Sequence, residues 1–207
     1  MKGKFIVIEG IDGSGKTTQI EMLKSKLSTK GEKVVSFREP GGTKISETIR
    51  EILLSNQNSN LTDASEALLF FASRSQLLAE KITPFLEKEY FVICDRFNDS
   101  TIAYQGYGKC GSVEDLNYIS KYSTDSFMPK LTFFLDISVD LSIKRRELKN
   151  NDRIESKGCE YLKRVRSGFI EIANENPNRF IIIDGSEGKK DVFKKIWRII
   201  SDKYAIK

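Results

Sequence analysis

The residues best placed to do chemistry stand near the start of the chain, in the run GIDGSGKT over residues 10–17. It satisfies G-x-x-x-x-G-K-[ST], a loop in which glycines let the backbone curl until several N–H groups point at one anion. A helix that begins where such a loop ends adds the positive pole of its dipole. The chemistry implied is the binding of a nucleoside triphosphate. Lys16 is expected to reach the β- and γ-phosphates, and the Thr17 hydroxyl to ligate Mg²⁺. Gly10, Ile11, Asp12, Gly13, Ser14, Gly15, Lys16, Thr17 and Thr18 are therefore the expected contacts of ATP. No Asn-Lys-x-Asp string is present to read guanine, which argues against a GTPase.

A second candidate pair, Asp95-Arg96, closes the apolar run YFVIC of residues 90–94. A carboxylate at such a strand end can hold Mg²⁺ through water, and an arginine beside it can grip a phosphate with two N–H groups. A plain ion pair is the alternative. The segment 144–157, KRRELKNNDRIESK, has almost no apolar residues. It reads either as a solvated helix end with its loop or as a basic lid over bound phosphates. The chain has no histidine, which excludes His-based metal sites and a His general base. Cys94, Cys110 and Cys159 are odd in number and far apart, so neither a disulfide framework nor a zinc site is indicated.

These groups can be positioned by an alternation of strands and helices. Short apolar runs at residues 5–8, 34–37, 90–94, 131–135 and 180–183 read as five strands. Those after the first are nearly continuous in apolar residues, the mark of a parallel sheet covered on both faces. Between them, residues 16–30 carry Ile20, Leu23 and Leu27 in one helical stripe before Gly31, and residues 44–55 carry Ile45, Ile49, Ile52 and Leu53. Residues 62–88 read as the most apolar helical stretch, capped by Thr62 and bent or interrupted near its end by Pro84. The expected fold is α/β, a five-stranded parallel sheet flanked by helices, in one domain over residues 1–207 that includes the basic segment.

The net charge of +5 is spread along the chain without an aromatic-interleaved basic block. It fits a basic surface around a polyphosphate site better than a nucleic-acid partner. No apolar run approaches the roughly 20 residues that span a bilayer. The opening MKGKFIVIEG is too short in apolar residues for a signal peptide, so the cytoplasm is the expected location.

The strings GIDGSGKTT (10–18), REPGGT (38–43), LLFFASRSQ (68–76), DRFNDSTIAYQG (95–106) and DRIE (152–155) follow one another in this order. In that combination the chain resembles the bacterial-type thymidylate kinases, nucleoside-monophosphate kinases of the P-loop fold, from residue 5 to about residue 185. The resemblance implies transfer of the γ-phosphoryl group of ATP, with Mg²⁺, to dTMP, giving dTDP for dTTP synthesis. It implies that Asp12 holds the 3′-hydroxyl of the acceptor sugar and that Glu39-Pro40 forms the acceptor-side turn, often with a cis-proline. Phe70 would stack on thymine while Arg74 meets its O4. Thr101 and Gln105 would lie beside the base, and Tyr104 would crowd the 2′ position. Arg50 and Arg96 would grip the acceptor phosphate.

One branch of that family carries an arginine within the phosphate loop where this chain has Gly13. The resemblance therefore implies that charge comes from the basic segment, from Lys144, Arg145, Arg146 or Arg153, with Arg153 of DRIE expected first. The nucleophile, a phosphate oxygen of dTMP, is already anionic and needs no general base. Residues 64–79 carry more apolar side chains than one helix face can bury, which core packing on two sides or a subunit interface would explain. Members of the family are typically homodimers. Two other readings stay open: a P-loop kinase for another acceptor, and a nucleotide-regulated binding protein.

Overall fold

The first apolar run forms strand β1 (Lys4–Glu9), and the glycine loop that follows delivers the chain into helix α1 (Lys16–Thr29). The computed structural model describes residues 3–146, 153–154 and 157–206. Asp152 and Glu155 of the DRIE string, with residues 147–151 and 156 of the basic segment, lie outside the described residues. Strand β2 (Val34–Arg38) follows, then α2 (Lys44–Leu54), α3 (Asp63–Leu77) and a short α4 (Thr83–Glu87). After strand β3 (Phe91–Asp95), α5 (Asn98–Thr101) runs directly into a π-helical turn at Ile102–Gly108. Then come α6 (Val113–Thr124), β4 (Leu131–Asp136), α7 (Val139–Arg146), α8 (Cys159–Glu175), β5 (Phe180–Asp184) and α9 (Lys189–Tyr204).

The five strands pair in parallel in the order β2-β3-β1-β4-β5. Strands β1, β3 and β4 are buried almost throughout, as their continuous apolar runs demand. The edge strands pack on both faces, Val35 and Phe37 opposite Val34 and Phe180 opposite Ile181 and Ile183, but the cover is thinner there. Strand β2 is half-buried along its length and Ile182 of β5 is 42% exposed. An edge strand has a neighbouring strand on one side only, so the helices that pack on it leave its outer side partly open. On one face of the sheet Leu23 and Leu27 of α1 meet Ile196 and Ile200 of α9 over Ile6, Ile8 and Phe133. The other face packs Leu77, Ile82 and Leu86 on Phe5, Val7 and Val92, and Val165 and Phe169 of α8 on Phe134.

The expected single helix over 62–88 is broken earlier than Pro84 itself. The Thr62 hydroxyl accepts from the Ser65 N–H and caps α3, as expected. The chain then widens into a π-helical turn at Leu78–Ile82, and Pro84 falls in the first turn of α4. Proline lacks an N–H and its ring crowds the carbonyl four residues back, so the register shifts just ahead of it.

Strand order decides where the site lies. The chain leaves β1 toward β2 and β3 on one side and returns to β4 and β5 on the other, so the end of β1 borders the crevice where connections diverge. The register places Ile8 opposite Asp95 and Asp95 opposite Arg38. Three loops that sequence keeps far apart therefore start from one row. Among the described residues, no helix is long and apolar enough to cross a membrane.

Candidate active site

The phosphate loop has the geometry its glycines allow. Gly15 caps α1 at φ 96° and Gly13 sits at φ 81°, both in the left-handed region that disfavours other residues. Lys16 is buried and folds back along the loop, donating to Gly10 O at 3.1 Å and to Asp12 Oδ1 at 3.3 Å. Asp12 also takes Arg96 Nη2 at 2.9 Å. Lys16, Asp12 and Arg96 thus form one chain of charges across the crevice.

Arg96 is held there by its backbone. It follows Asp95 at φ 69° and its N–H donates to Ile8 O at 3.0 Å. The next N–H, of Phe97, donates to Glu9 Oε1 at 2.8 Å, while the Ser100 hydroxyl donates to Glu9 Oε2 at 2.6 Å. Glu9 is wholly buried, and that burial pushes its carboxyl up to about 7 against the opposing pull of Arg96. A folded-state pKa above the ordinary 4.5 means that the stabilising contribution is full below about pH 4.5 and is lost as pH rises through about 7. Glutamine can keep both contacts, accepting from Phe97 and donating to the Ser100 oxygen. Glu9→Gln is therefore expected to melt with wild type near pH 5 and above it at pH 8, by on the order of 1–3 kcal/mol. A melting difference that does not change with pH would contradict this assignment.

One cleft collects the acceptor-side residues. Phe70, Thr101, Tyr104 and Gln105 line it together with Leu54 and Ile154, and it opens toward Asp12, Glu39, Pro40, Arg50 and Arg96. Of the two neighbouring phenylalanines, Phe71 is the core residue and Phe70 is half-buried in the cleft wall. The Glu39–Pro40 bond is cis, and Pro40 O accepts from Arg50 Nη1 at 2.8 Å. Arg96 lies over the Tyr104 ring, 5.0 Å from its centroid. The Tyr104 hydroxyl is buried and has no hydrogen-bond partner among the described residues. Burial drives its pKa upward, so it stays a neutral phenol.

Arg74 is not among the residues lining this cleft. It lies 1% exposed beneath it, donating through Nε to Glu39 Oε2 at 2.7 Å and through Nη2 to Thr101 Oγ1 at 2.8 Å and Phe97 O at 3.0 Å. Nη1 points to Asn98 Oδ1 at 3.4 Å. Most of its donors are used inside the protein, because a buried guanidinium must be satisfied. Its evident work is to fix Glu39 and Thr101. Burial raises the Glu39 carboxyl to about 7, with Arg74 pulling it back.

A second cleft shares Asp12, Glu39, Arg50 and Arg96 with the first and continues along the phosphate loop past Lys16, Thr17 and Thr18. Arg38, Arg145 and Arg146 complete its wall. Asp95 lies there too, and its Oδ1 is buried without a hydrogen-bond partner among the described residues. An orphaned carboxylate oxygen on a residue that lines one cleft with Thr17 fits a hydrated divalent cation. Among the described residues, no cluster of three acidic, Cys or His side chains forms a dedicated metal cage. A third hollow continues from Gly13, Ser14 and Gly15 toward Gly185, Glu187 and Lys189. Arg145 spans that side, with Nη1 3.1 Å from both Gly13 O and Gly185 O. A Cβ on Gly13 would come within 3.0 Å of Ser142 O, so α7 occupies the space above the loop.

Arg153 pairs with Glu66, away from the residues that line the phosphate-loop cleft. The expectation placed it first among the arginines facing the phosphates, yet it does not line the phosphate cleft. Its Nη2 pairs with Glu66 Oε2 at 2.6 Å, and its Nε donates to Leu53 O at 2.9 Å. The buried Glu66 carboxylate demands a counter-charge, and Arg153 meets that demand. Among the described residues of the basic segment, Arg145 and Arg146 are the arginines that line the phosphate-loop cleft. The sequence reading also missed Glu9, Arg38, Glu66, Ser100 and Ile154. Glu66 alone left a visible signal, a charge on the apolar face of a helix one turn before Phe70. Glu9 looked like a strand terminator.

The chain matches the family model described as thymidylate kinase over residues 8–196. It is 45% identical to the thymidylate kinase of Thermosipho africanus over 196 residues, 95% of this chain and 96% of that one. It is 41% identical to the thymidylate kinase of Caldanaerobacter subterraneus subsp. tengcongensis over 202 residues, covering 98% and 97% of the two chains. The chain belongs to the thymidylate kinase family.

Proposed function

We propose that this chain transfers the γ-phosphoryl group of ATP to dTMP, giving dTDP and ADP in the synthesis of dTTP, within one P-loop kinase domain over residues 1–207. The observation that carries the reading is the joining of two clefts at Asp12, Glu39, Arg50 and Arg96, one running to an aromatic pocket and one along the phosphate loop. ATP lies along the loop, its nucleoside toward Arg145, Gly185 and Lys189. The thymine ring stacks on Phe70 beside Thr101 and Gln105, and Asp12 takes the sugar 3′-hydroxyl. Arg50 and Arg96 hold the acceptor phosphate so that one of its ionised oxygens faces the γ-phosphorus, and no general base is needed.

Catalysis is then positioning and charge stabilisation. Lys16, Arg96, Arg146 and Arg145 offset negative charge as the phosphoryl group moves. Thr17, and Asp95 through water, would hold Mg²⁺, which would supply charge screening and polarisation of the ATP phosphates. Arg153 acts from the base side, through Glu66. The segment 144–157 serves as the lid.

Acceptor choice tests the reading. Tyr104, 7% exposed, lines the cleft wall, and its ring is the group that would crowd the sugar 2′ position. With ATP and Mg²⁺, ADP release is expected to be fastest with dTMP and roughly 10–200-fold slower with dUMP, since one methyl is worth roughly 1–3 kcal/mol in an apolar pocket. Turnover of UMP is expected to be lower by a further hundredfold or so, and thymidine is expected to be inert as an acceptor. UMP turned over as well as dTMP would remove Tyr104 from this role. A preference for thymidine would move the whole reading to a nucleoside kinase.

The partners are the two nucleotides and a second copy of the chain. Ile45 and Ile52 of α2, Leu68 of α3, and Tyr118 and Tyr122 of α6 are large, exposed and apolar or aromatic. The three helices pack side by side, α3 against both others. This face supports a homodimer, expected at twice 23.6 kDa in sedimentation. The cytoplasm is the proposed location.

A further inference from the structure

Glu66 lies on α3 one turn before Phe70, with no solvent exposure. Four donors converge on its carboxylate. Oε1 accepts from Gln105 Nε2 at 2.9 Å and pairs with Lys109 Nζ at 2.7 Å. Oε2 pairs with Arg153 Nη2 at 2.6 Å and Lys157 Nζ at 3.5 Å. Burial acts to raise its pKa, but the hydrogen bonds from Lys109 and Gln105 and the charges of Lys157 and Lys109 hold it at about 2. It is therefore ionised at every working pH.

An ionised carboxylate only accepts hydrogen bonds, so the end of the Gln105 amide that meets it must be the NH₂. The Gln105 carbonyl oxygen then faces away from Glu66, on the side where Gln105 lines the aromatic cleft beside Thr101 and Tyr104. We propose that Glu66 is a specificity-determining positioning residue: it locks the Gln105 amide so that the cleft offers the base a hydrogen-bond acceptor. A base with a ring N–H at that edge, such as thymine or uracil, is accepted. Cytosine, with a lone pair at the same ring position, is rejected because two acceptors would face each other. The inference rests on the aromatic cleft being the acceptor site.

The substitution Glu66→Gln tests it with almost no change of shape. A glutamine at 66 must turn its NH₂ toward one pair of donors. On the Oε2 side that group would meet both Arg153 and Lys157. On the Oε1 side Lys109 has a second acceptor in Asp63, and the Gln105 amide can rotate. The NH₂ therefore turns toward Gln105 and reverses its amide. The expected result is that the preference for dTMP over dCMP, read as a ratio of kcat/KM values, falls at least tenfold, about 1.4 kcal/mol. Gln105→Met removes the amide, and in that background Glu66→Gln is expected to leave the ratio unchanged. Glu66→Asp keeps the charge the three cations need while drawing the carboxylate away from Gln105. It is the variant to use if Glu66→Gln does not fold, with a smaller loss of the same sign.

An unchanged ratio in both Glu66 variants, or an equal change with and without Gln105, would overturn the proposal. Phe70→Ala separates that failure from a wrong acceptor site. If Phe70→Ala weakens dTMP binding while the Glu66 variants keep the ratio, the cleft assignment stands and the role of Glu66 falls. If Phe70→Ala leaves dTMP binding unaltered, the cleft assignment falls and takes this inference with it.

Discussion

Replacing Lys16 by methionine is expected to lower kcat by roughly 10²–10³-fold while changing dTMP affinity by less than about threefold. Lys16 is buried in the loop, and the groups it touches, Gly10 O, Ile11 O and Asp12 Oδ1, all belong to the cradle itself. Its ammonium is therefore held within the phosphate loop, and neither Phe70 nor Gln105 is among those contacts. Methionine keeps the length and loses the charge, so packing around α1 is preserved. Steady-state ADP release gives kcat, and calorimetric titration with dTMP gives the affinity. A Lys16→Met protein within tenfold of wild-type turnover would refute the placement of the γ-phosphoryl group along this loop.

Loss of Arg96 should be comparably severe but different in kind. Arg96→Ala is expected to reduce kcat/KM for dTMP by roughly 10²–10³-fold, because it removes a phosphate contact and the partner of Asp12 together. Its guanidinium joins both clefts, pairs with Asp12 at 2.9 Å and covers the Tyr104 ring. Its backbone is left-handed at φ 69°, which a β-carbon resists. Arg96→Gly should therefore lose as much activity as Arg96→Ala while melting higher, by about 1 kcal/mol. Equal stability of the two variants would show that the backbone at 96 carries no strain. Greater activity in the glycine variant would mean that backbone position, and not charge, was the main contribution.

Both substitutions test residues that could be named from the chain alone, and the reason is physical. A phosphate loop works through contiguous backbone N–H groups and the helix that starts at its end, so the string GIDGSGKT carries most of its own geometry. Strand-end Asp95 and Arg96 were legible for a related reason. Continuous apolar runs locate the strands, and in a parallel sheet the crevice must lie at their carboxyl ends. The capping role of Thr62 also follows from local spacing along one helix, whereas Phe70 was named from the family resemblance.

Other assignments depended on what the fold brings together. Arg74 and Phe70 share a helix face, but only the packing of α3 against Glu39 and Thr101 puts the guanidinium beneath the cleft and its ring neighbour in the wall. Arg153 sits in a basic string that local reading aims at phosphates. It goes instead to Glu66, because an ionised carboxylate with no solvent exposure draws the cations within reach, here Lys109, Arg153 and Lys157. Glu9 looked like the end of a strand, and became a buried anchor for the turn at Arg96 only when β1 and β3 were paired. The sequence by itself determined the phosphate-binding loop and the order of the elements, since those rest on a contiguous motif and apolar periodicity. The family resemblance added the reaction. Tertiary structure decided which charges meet substrate and which meet each other. That choice depends on burial and on partners from distant strands and helices, and neither is encoded in local spacing.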